Sequence, residues 1–247
     1  MKKIDVLILT NNEEDVIENA IKSVKGWAEN IIVVDAGSTD NTKKICEKNK
    51  VRFITHSFTD FSAQRNFAID QAKSEWVFYL DADERATQAF IEEVKMRIED
   101  TDKSAFIIKR KTYYFGKDWG MEDKVTRIFK KDKFDKWTGV VHETAHVNGD
   151  SGRIDSPILH YTHRNIEQMV TKTNNWSEYE AKLRFDADHP KMREWRFMRV
   201  MVSEFMRSYF KDKGYKNGTY GVVEALYQAY SIFITYAKLW ELQTRKD

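Results

Sequence analysis

From residue 4 to about 110 the chain alternates short, almost uninterrupted runs of Val, Ile, Leu and Phe with segments whose apolar residues recur at helical spacing. The runs IDVLILT, IIVVDA, VRFIT, EWVFYLDA and AFIIKR predict strands, and residues 14–25, 40–49, 62–73 and 87–99 predict the helices between them. Strands that are apolar at nearly every position are expected where helices cover both faces of a mostly parallel sheet. The prediction is an α/β fold, in which ligands bind beyond the carboxyl ends of the strands. Residues 10–14, 35–39 and 81–85 each follow a strand directly, which makes them the candidate ligand-binding loops.

Residues 110–165 carry short aromatic and basic segments punctuated by glycines, which predict antiparallel strands and loops. From 166 onward the pattern is helical, and the expected division is a catalytic α/β domain at 1–165 and a helical tail at 166–247. The tail is locally basic: residues 191–216 hold eight Lys or Arg and three Asp or Glu. On a helix, Trp195, Met198, Val202, Phe205 and Tyr209 share one side, with Arg193, Arg196, Arg207 and Lys211 largely opposite. Such a face either packs on the core or lies on an anionic membrane.

Composition narrows the classes. A hydrophobic fraction of 41% with 13% aromatics supports a large core, and a formal net charge of +2 excludes a whole-protein field for nucleic acid. Cys46 is the single cysteine, which excludes an intramolecular disulfide and fits a reducing compartment. The opening MKKIDVLILT is read as a first strand and not as a signal peptide, and no run of about 20 apolar residues predicts a membrane span. A cytoplasmic protein is expected, with the basic tail as the candidate peripheral contact with the inner face of the membrane.

The chemistry centres on Asp81-Ala82-Asp83-Glu84, where the FYL run ends. Two carboxylates at i and i+2 after a buried strand can turn toward one hard cation, Mg²⁺ or Mn²⁺, which would in turn bind phosphate oxygens. The competing structural reading has Asp81 capping the next helix while Asp83 and Glu84 are solvated. Asp35, ending IIVVDA, can accept from base or ribose donors, and Gly37 permits close backbone approach. Ser38, Thr39 and Asp40 read as a turn and helix cap. TNNEE at 10–14 is a third polar cluster, for which capping is again the alternative.

Together, VLILTNNEE, VVDAGSTDNT, AQRNFAIDQA and WVFYLDADE, in that order, resemble family 2 glycosyltransferases of the GT-A (Rossmann-like) fold. The resemblance implies that Thr10, Asn12 and Glu13 flank a nucleotide-sugar donor, that Asp35 recognises the nucleobase, and that Asp81 and Asp83 serve ribose and metal. Arg65 would sit beside the nucleotide, with a structural ion pair as its alternative. Downstream, YFGKDWGMEDKVTRIFKK and WTGVVHE resemble the small bacterial transferases of lipopolysaccharide core synthesis, which implies a glycan or lipid-linked acceptor of the cell envelope. An inverting displacement needs a carboxylate at the acceptor hydroxyl. Asp123 fits the family's place for that base, and Glu143 is the rival, with a salt bridge to a basic neighbour as its alternative. Arg127 can neutralise a leaving diphosphate. His142 is a candidate third metal ligand, imidazole being suited to Mn²⁺, with a structural histidine as the alternative. His146, His160 and His163 lack partner spacing and are read as structural.

Two other classes compete. A nucleotidyltransferase also uses paired carboxylates and a metal, but it usually carries a Gly-rich basic loop where this chain has acidic TNNEE. A nucleic-acid-binding module built on the basic aromatic tail predicts steep salt dependence of binding and no sugar-nucleotide turnover.

Overall fold

The computed structural model describes residues 2–139 and 143–245. Strands β1 (Ile4–Thr10), β2 (Asn30–Asp35), β3 (Arg52–Thr55) and β4 (Trp76–Asp81) are parallel and lie in the order β3-β2-β1-β4. They are connected through helices α1 (Ile17–Val24), α2 (Thr42–Lys48) and α3 (Phe61–Asp70). After β4 come the two-residue strand β5 (Glu84–Arg85) and helix α4 (Gln88–Glu99). Strands β6 (Ala105–Tyr114), β7 (Lys117–Lys130), β8 (Phe134–Thr138), β9 (Thr144–Val147) and β10 (Ser151–Thr162) follow. The eight-stranded sheet reads β3-β2-β1-β4-β7-β6-β10-β5, with β7 antiparallel to β4, while β8 and β9 form a separate antiparallel pair. This is the helix-flanked α/β sheet that the apolar runs predict.

Strand alternation explains why those runs are apolar throughout. Val6, Ile8, Val33, Phe78 and Leu80 face one core with Ile17, Ile21 and Phe90, while Leu7, Ile32, Val34, Val77 and Tyr79 face a second core with Ala68 and Ile69. Both faces are therefore withdrawn from water. Helix α1 follows from Ile17, Ala20, Ile21 and Val24, four buried residues on one helical side. Helices α3 and α4 begin where Asp60 accepts from the Ala63 amide at 2.7 Å and Thr87 from the Phe90 amide at 3.1 Å. Phe78, fully buried between Trp27 and Phe90, is worth about 3–5 kcal/mol against alanine.

The chain forms two compact units, one of residues 1–113 and 120–162 and the other of 114–119 and 163–247. In the second, α5 (Ile166–Asp186) and α6 (Glu194–Met206) both pack on α7 (Thr219–Arg245). A π turn (Arg207–Lys211) and a short 3₁₀ turn (Gly214–Asn217) lead from α6 to α7. Gly221 meets Gly214 so closely that a Cβ there would stand 1.8 Å from the Gly214 carbonyl oxygen. Turn 114–119 belongs with these helices: Tyr114 stacks on His163 at 4.5 Å, and the Lys117 ammonium lies 3.9 Å from the Tyr220 ring centre. Among the described residues, no helix is long and apolar enough to cross a membrane.

Candidate active site

The order β3-β2-β1-β4 reverses direction at β1, so a crevice opens at the carboxyl ends of β1, β2 and β4. Registry sets Thr10 opposite Asp35 and Leu9 opposite Asp81, which brings these strand ends to one edge. The first two loops are stitched together there. Asn12, at φ 53°, accepts from the Thr39 amide at 2.8 Å, and its own amide donates to the Ser38 hydroxyl at 2.7 Å. The Glu13 amide donates to the Thr42 hydroxyl at 3.0 Å, and the Glu14 amide to Asp40 at 3.0 Å. Buried Asp35 accepts from the Gly37 and Ser38 amides at 2.9 and 2.8 Å and from the Ser38 hydroxyl, so its carboxylate fixes the turn that follows it. The Thr10 hydroxyl is buried without a protein partner among the described residues.

Asp81 continues the Val77–Tyr79 face of β4, the side covered by α3, and there it meets arginines. Arg65 Nη2 lies 3.2 Å from Oδ1, and Arg127 Nη2, from β7, lies 2.9 Å from Oδ2. Arg65 Nε donates to Glu143 at 3.2 Å, while its guanidinium lies 5.6 Å from the Tyr79 ring centre and 5.2 Å from that of Trp137. The Tyr79 hydroxyl donates to the Arg65 carbonyl at 2.7 Å and so fixes the backbone that carries the arginine. Nη1 of both Arg65 and Arg127 is buried with no protein acceptor among the described residues. Burial alone would push the Asp81 carboxyl up, but Arg127 and Arg65 outweigh it and hold the group far below the usual carboxylate range. Arg127 is pushed down by burial and by the charge of Arg65.

A second tier supports the loop. Fully buried Glu84 accepts from the Asp81 amide at 2.9 Å and from Arg110 Nη1 at 3.0 Å. Arg110 also donates to both oxygens of Asp123, with Nε at 2.9 Å. Burial and the adjacent charge of Asp81 push Glu84 up. Asp123 sits below its ordinary value, because Arg110 outweighs burial. Antiparallel pairing of β10 with β5 puts His160 across from Glu84, and His160 Nε2 lies 3.4 Å from Asp83 Oδ2. Burial lowers the His160 pKa, but the hydrogen bond and charge of Asp83, with the charge of Glu84, outweigh it, so the net direction is upward.

The DADE segment does not cap the following helix, because Thr87 does, and Glu84 is sealed in the interior. Arg110 is the member of this cluster that the sequence does not announce; Glu84, solvated in the structural reading of the segment, is fully buried, and His160, read as structural for want of a partner, lies beside Asp83. His142 lies outside the described residues. Among those described, no group of three or more His, Cys, Asp or Glu side chains is placed to hold a metal ion. Asp83 and His160 form a carboxylate and imidazole pair, of which the carboxylate suits Mg²⁺ or Mn²⁺ and the imidazole suits Mn²⁺ but not Mg²⁺. A hollow of about 370 Å³ bounded by Lys73, Ser74, Glu75, Lys131 and Asp132 lies at the other, amino-terminal end of β4 and is separate from this cluster.

An acidic loop at the switch point of the parallel strands, ringed by arginines, is the arrangement of an α/β protein whose buried cations suit an anionic group. The family model of Glycosyl transferase family 2 matches residues 5–149, more than half of the chain, and the chain belongs to that family. It is a glycosyltransferase with a sheet of the GT-A type. It is 29% identical to an uncharacterized glycosyltransferase of Rickettsia prowazekii, over 100% of this chain and 90% of the relative. It is also 26% identical to the lipopolysaccharide core biosynthesis glycosyltransferase LpsC of Rhizobium meliloti, over 98% of this chain and 94% of that protein. Among solved structures, glucosyl-3-phosphoglycerate synthase of Mycobacterium tuberculosis aligns at 19% identity and a TM-score of 0.38, over 46% of this chain and 44% of the synthase.

Proposed function

We propose that the protein is an inverting transferase that moves a sugar from a nucleotide diphosphate donor, a UDP-sugar, to a hydroxyl of a cell-envelope acceptor. The acceptor is a glycan or lipid-linked molecule such as lipopolysaccharide core, presented at the cytoplasmic face of the membrane. The observation that carries the reading is the pair of buried arginines on Asp81, each with one further N–H directed at no protein group among those described. A diphosphate offers the oxygens such donors take, and the bonds are strongest where water is excluded. Likeness to LpsC along almost the whole chain supports the acceptor class.

In this reading Thr10, Asn12, Glu13 and Asp35 border the nucleoside, and Arg65 and Arg127 face the diphosphate. Asp83, with Asp81 and His142 as further candidates and His160 beside it, would hold Mg²⁺ or Mn²⁺, which supplies Lewis acidity for the leaving diphosphate. The acceptor oxygen forms a bond to the anomeric carbon as the bond from that carbon to the diphosphate oxygen breaks. The electron pair leaves with the diphosphate, and the hydroxyl proton passes to a carboxylate. We assign that proton to Asp123, which is half-exposed and stands within the field of Arg110, His160 and Arg127; Glu143, tied to Arg65, is the second candidate.

The test is turnover of a sugar-nucleotide panel with Mn²⁺, Mg²⁺ or chelator, followed by transfer to lipid-linked glycans. Release of nucleoside diphosphate from one donor, accelerated by acceptor, is expected. Cleavage that instead leaves a nucleotidyl group on a product would move the protein to the nucleotidyltransferases.

A further inference from the structure

Helix α6 has two apolar faces and spends one of them on the protein. Phe197 packs against Phe233 of α7 at a ring separation of 5.9 Å, Phe205 stacks half-buried on Tyr209 at 5.6 Å, and Ser208 is buried. At about 100° per residue Phe197 and Ser208 share one side, and Phe205 stands at its edge. Trp195, Val202 and Met206 fall on the opposite side, Met198 lies on the flank next to Phe205, and Phe210 of the π turn continues the exposed row. They are 54%, 56%, 49%, 62% and 54% exposed. Single exposed apolar side chains need no explanation, but five along one helix do.

The surrounding charge says what covers them. Of the three acids in residues 191–216, Glu204 and Asp212 are both taken by Arg207, whose Nε lies 3.1 Å from Glu204 and whose Nη1 lies 2.6 Å from Asp212. That leaves Glu194 among the other seven Lys and Arg of the segment. The guanidinium carbons of Arg196 and Arg199 lie 4.8 and 5.7 Å from the Trp195 ring centre, so the cations border the stripe directly. Two copies of this face would press arginine against arginine, whereas an anionic bilayer would neutralise them and receive the apolar row. Trp, with an apolar body and a polar N–H, is suited to that boundary.

We infer that the exposed face of α6 docks the protein on an anionic lipid surface. Trp195, Met198, Val202, Met206 and Phe210 enter the headgroup boundary, and Arg193, Arg196 and Arg199 meet lipid phosphates. The inference rests on the proposed function only for its purpose, access to a lipid-linked acceptor, since docking itself requires neither donor nor acceptor.

The experiment is co-sedimentation of the full chain with vesicles of phosphatidylglycerol and phosphatidylcholine, or of phosphatidylcholine alone, at low and high salt. Binding to the anionic vesicles at low salt, release at high salt and weak binding to neutral vesicles are expected. Arg196→Gln and Arg199→Gln should each weaken binding about fivefold. The pair Trp195→Ser and Met198→Ser should weaken it tenfold or more, with Met198→Gln and Val202→Thr as a second pair should the first disturb the thermal melt. Absence of binding at low salt, or folded variants that bind like the parent, overturns the inference. So does a concentration-dependent dimer that the Trp195 pair abolishes while vesicles bind nothing. Donor hydrolysis in solution, followed on the same preparations, separates the two readings: its persistence with failed docking removes docking alone, and its absence with intact docking removes the proposed donor chemistry alone.

Discussion

Glu84 grips the Asp81 amide with one carboxylate oxygen, at 2.9 Å, and Arg110 with the other, at 3.0 Å. A single sealed side chain thus ties the acidic loop to β6. Burial and Asp81 push its pKa up, and glutamine keeps the shape of the side chain and one of its two acceptor oxygens. Glu84→Gln is expected to cost about 1–2 kcal/mol, and Glu84→Ala, which leaves the buried Asp81 amide and Arg110 Nη1 without their acceptor, about 3 kcal/mol or more. Urea unfolding of the two variants decides it, and equal losses would count against the arrangement.

Asp83→Asn is expected to slow transfer more than ~100-fold, since a Lewis acid supplies several kcal/mol and ~1.4 kcal/mol is tenfold. Asp81→Asn should be as severe for a different reason, because two buried arginines lose their shared anion. Single-turnover rates with and without chelator, alongside thermal melts, separate the two causes. A folded Asp83→Asn enzyme with parental rates would end the metal assignment.

The proton acceptor is decided by a comparison of two variants. Asp123→Asn should abolish transfer while donor binding, read by calorimetry, stays near parental, because the base acts on the acceptor hydroxyl. Glu143→Gln should mainly weaken donor binding, through release of Arg65. An active Asp123→Asn enzyme beside a dead Glu143→Gln enzyme reverses the assignment.

Asp5, buried in β1, accepts from the Lys73 amide at 2.6 Å, the Ser74 amide at 2.9 Å, the Ser74 hydroxyl at 2.8 Å and Asn30 Nδ2 at 2.8 Å. Burial pushes this carboxyl up, and the four donors outweigh it, so its pKa lies below the ordinary value. A depressed folded pKa means stability that is present above the unfolded value of about 3.9 and is lost as pH falls through the folded one. The urea midpoint should therefore drop through that acid window, and Asp5→Asn should flatten the drop while costing about 2 kcal/mol at neutral pH. An unchanged slope in the variant would contradict this account.

How far the sequence announces this architecture differs between its halves. Apolar runs that end at Thr10, Asp35 and Asp81 mark the crevice, because a strand buried on both faces has nowhere to put a polar residue except its end. The supporting tier has no such signature. Arg110, Asp123 and Arg127 lie on β6 and β7, and His160 reaches Asp83 only because β10 pairs with β5, a nonlocal registry that spacing does not encode. In α6, periodicity groups Phe205 and Tyr209 with Trp195, whereas those two are half-buried and Met206 and Phe210 take the exposed row. A helix apolar on two sides defeats a single-stripe reading, and the π turn at Arg207–Lys211 shifts the phase further.

Turn 114–119 is counted with the helices, so the polypeptide passes between its two units at 113/114, 119/120 and 162/163. The helical unit is therefore not a cassette that one recombination event could lend to another protein or take away. A gene ended at 165 would keep Phe115 and Lys117 while discarding Tyr220, the ring partner of one and cation acceptor of the other, and would keep His163 while discarding Tyr227, which borders it. Inheritance of the two parts is obliged to be joint, and swaps between relatives should succeed only when hairpin and helices travel together.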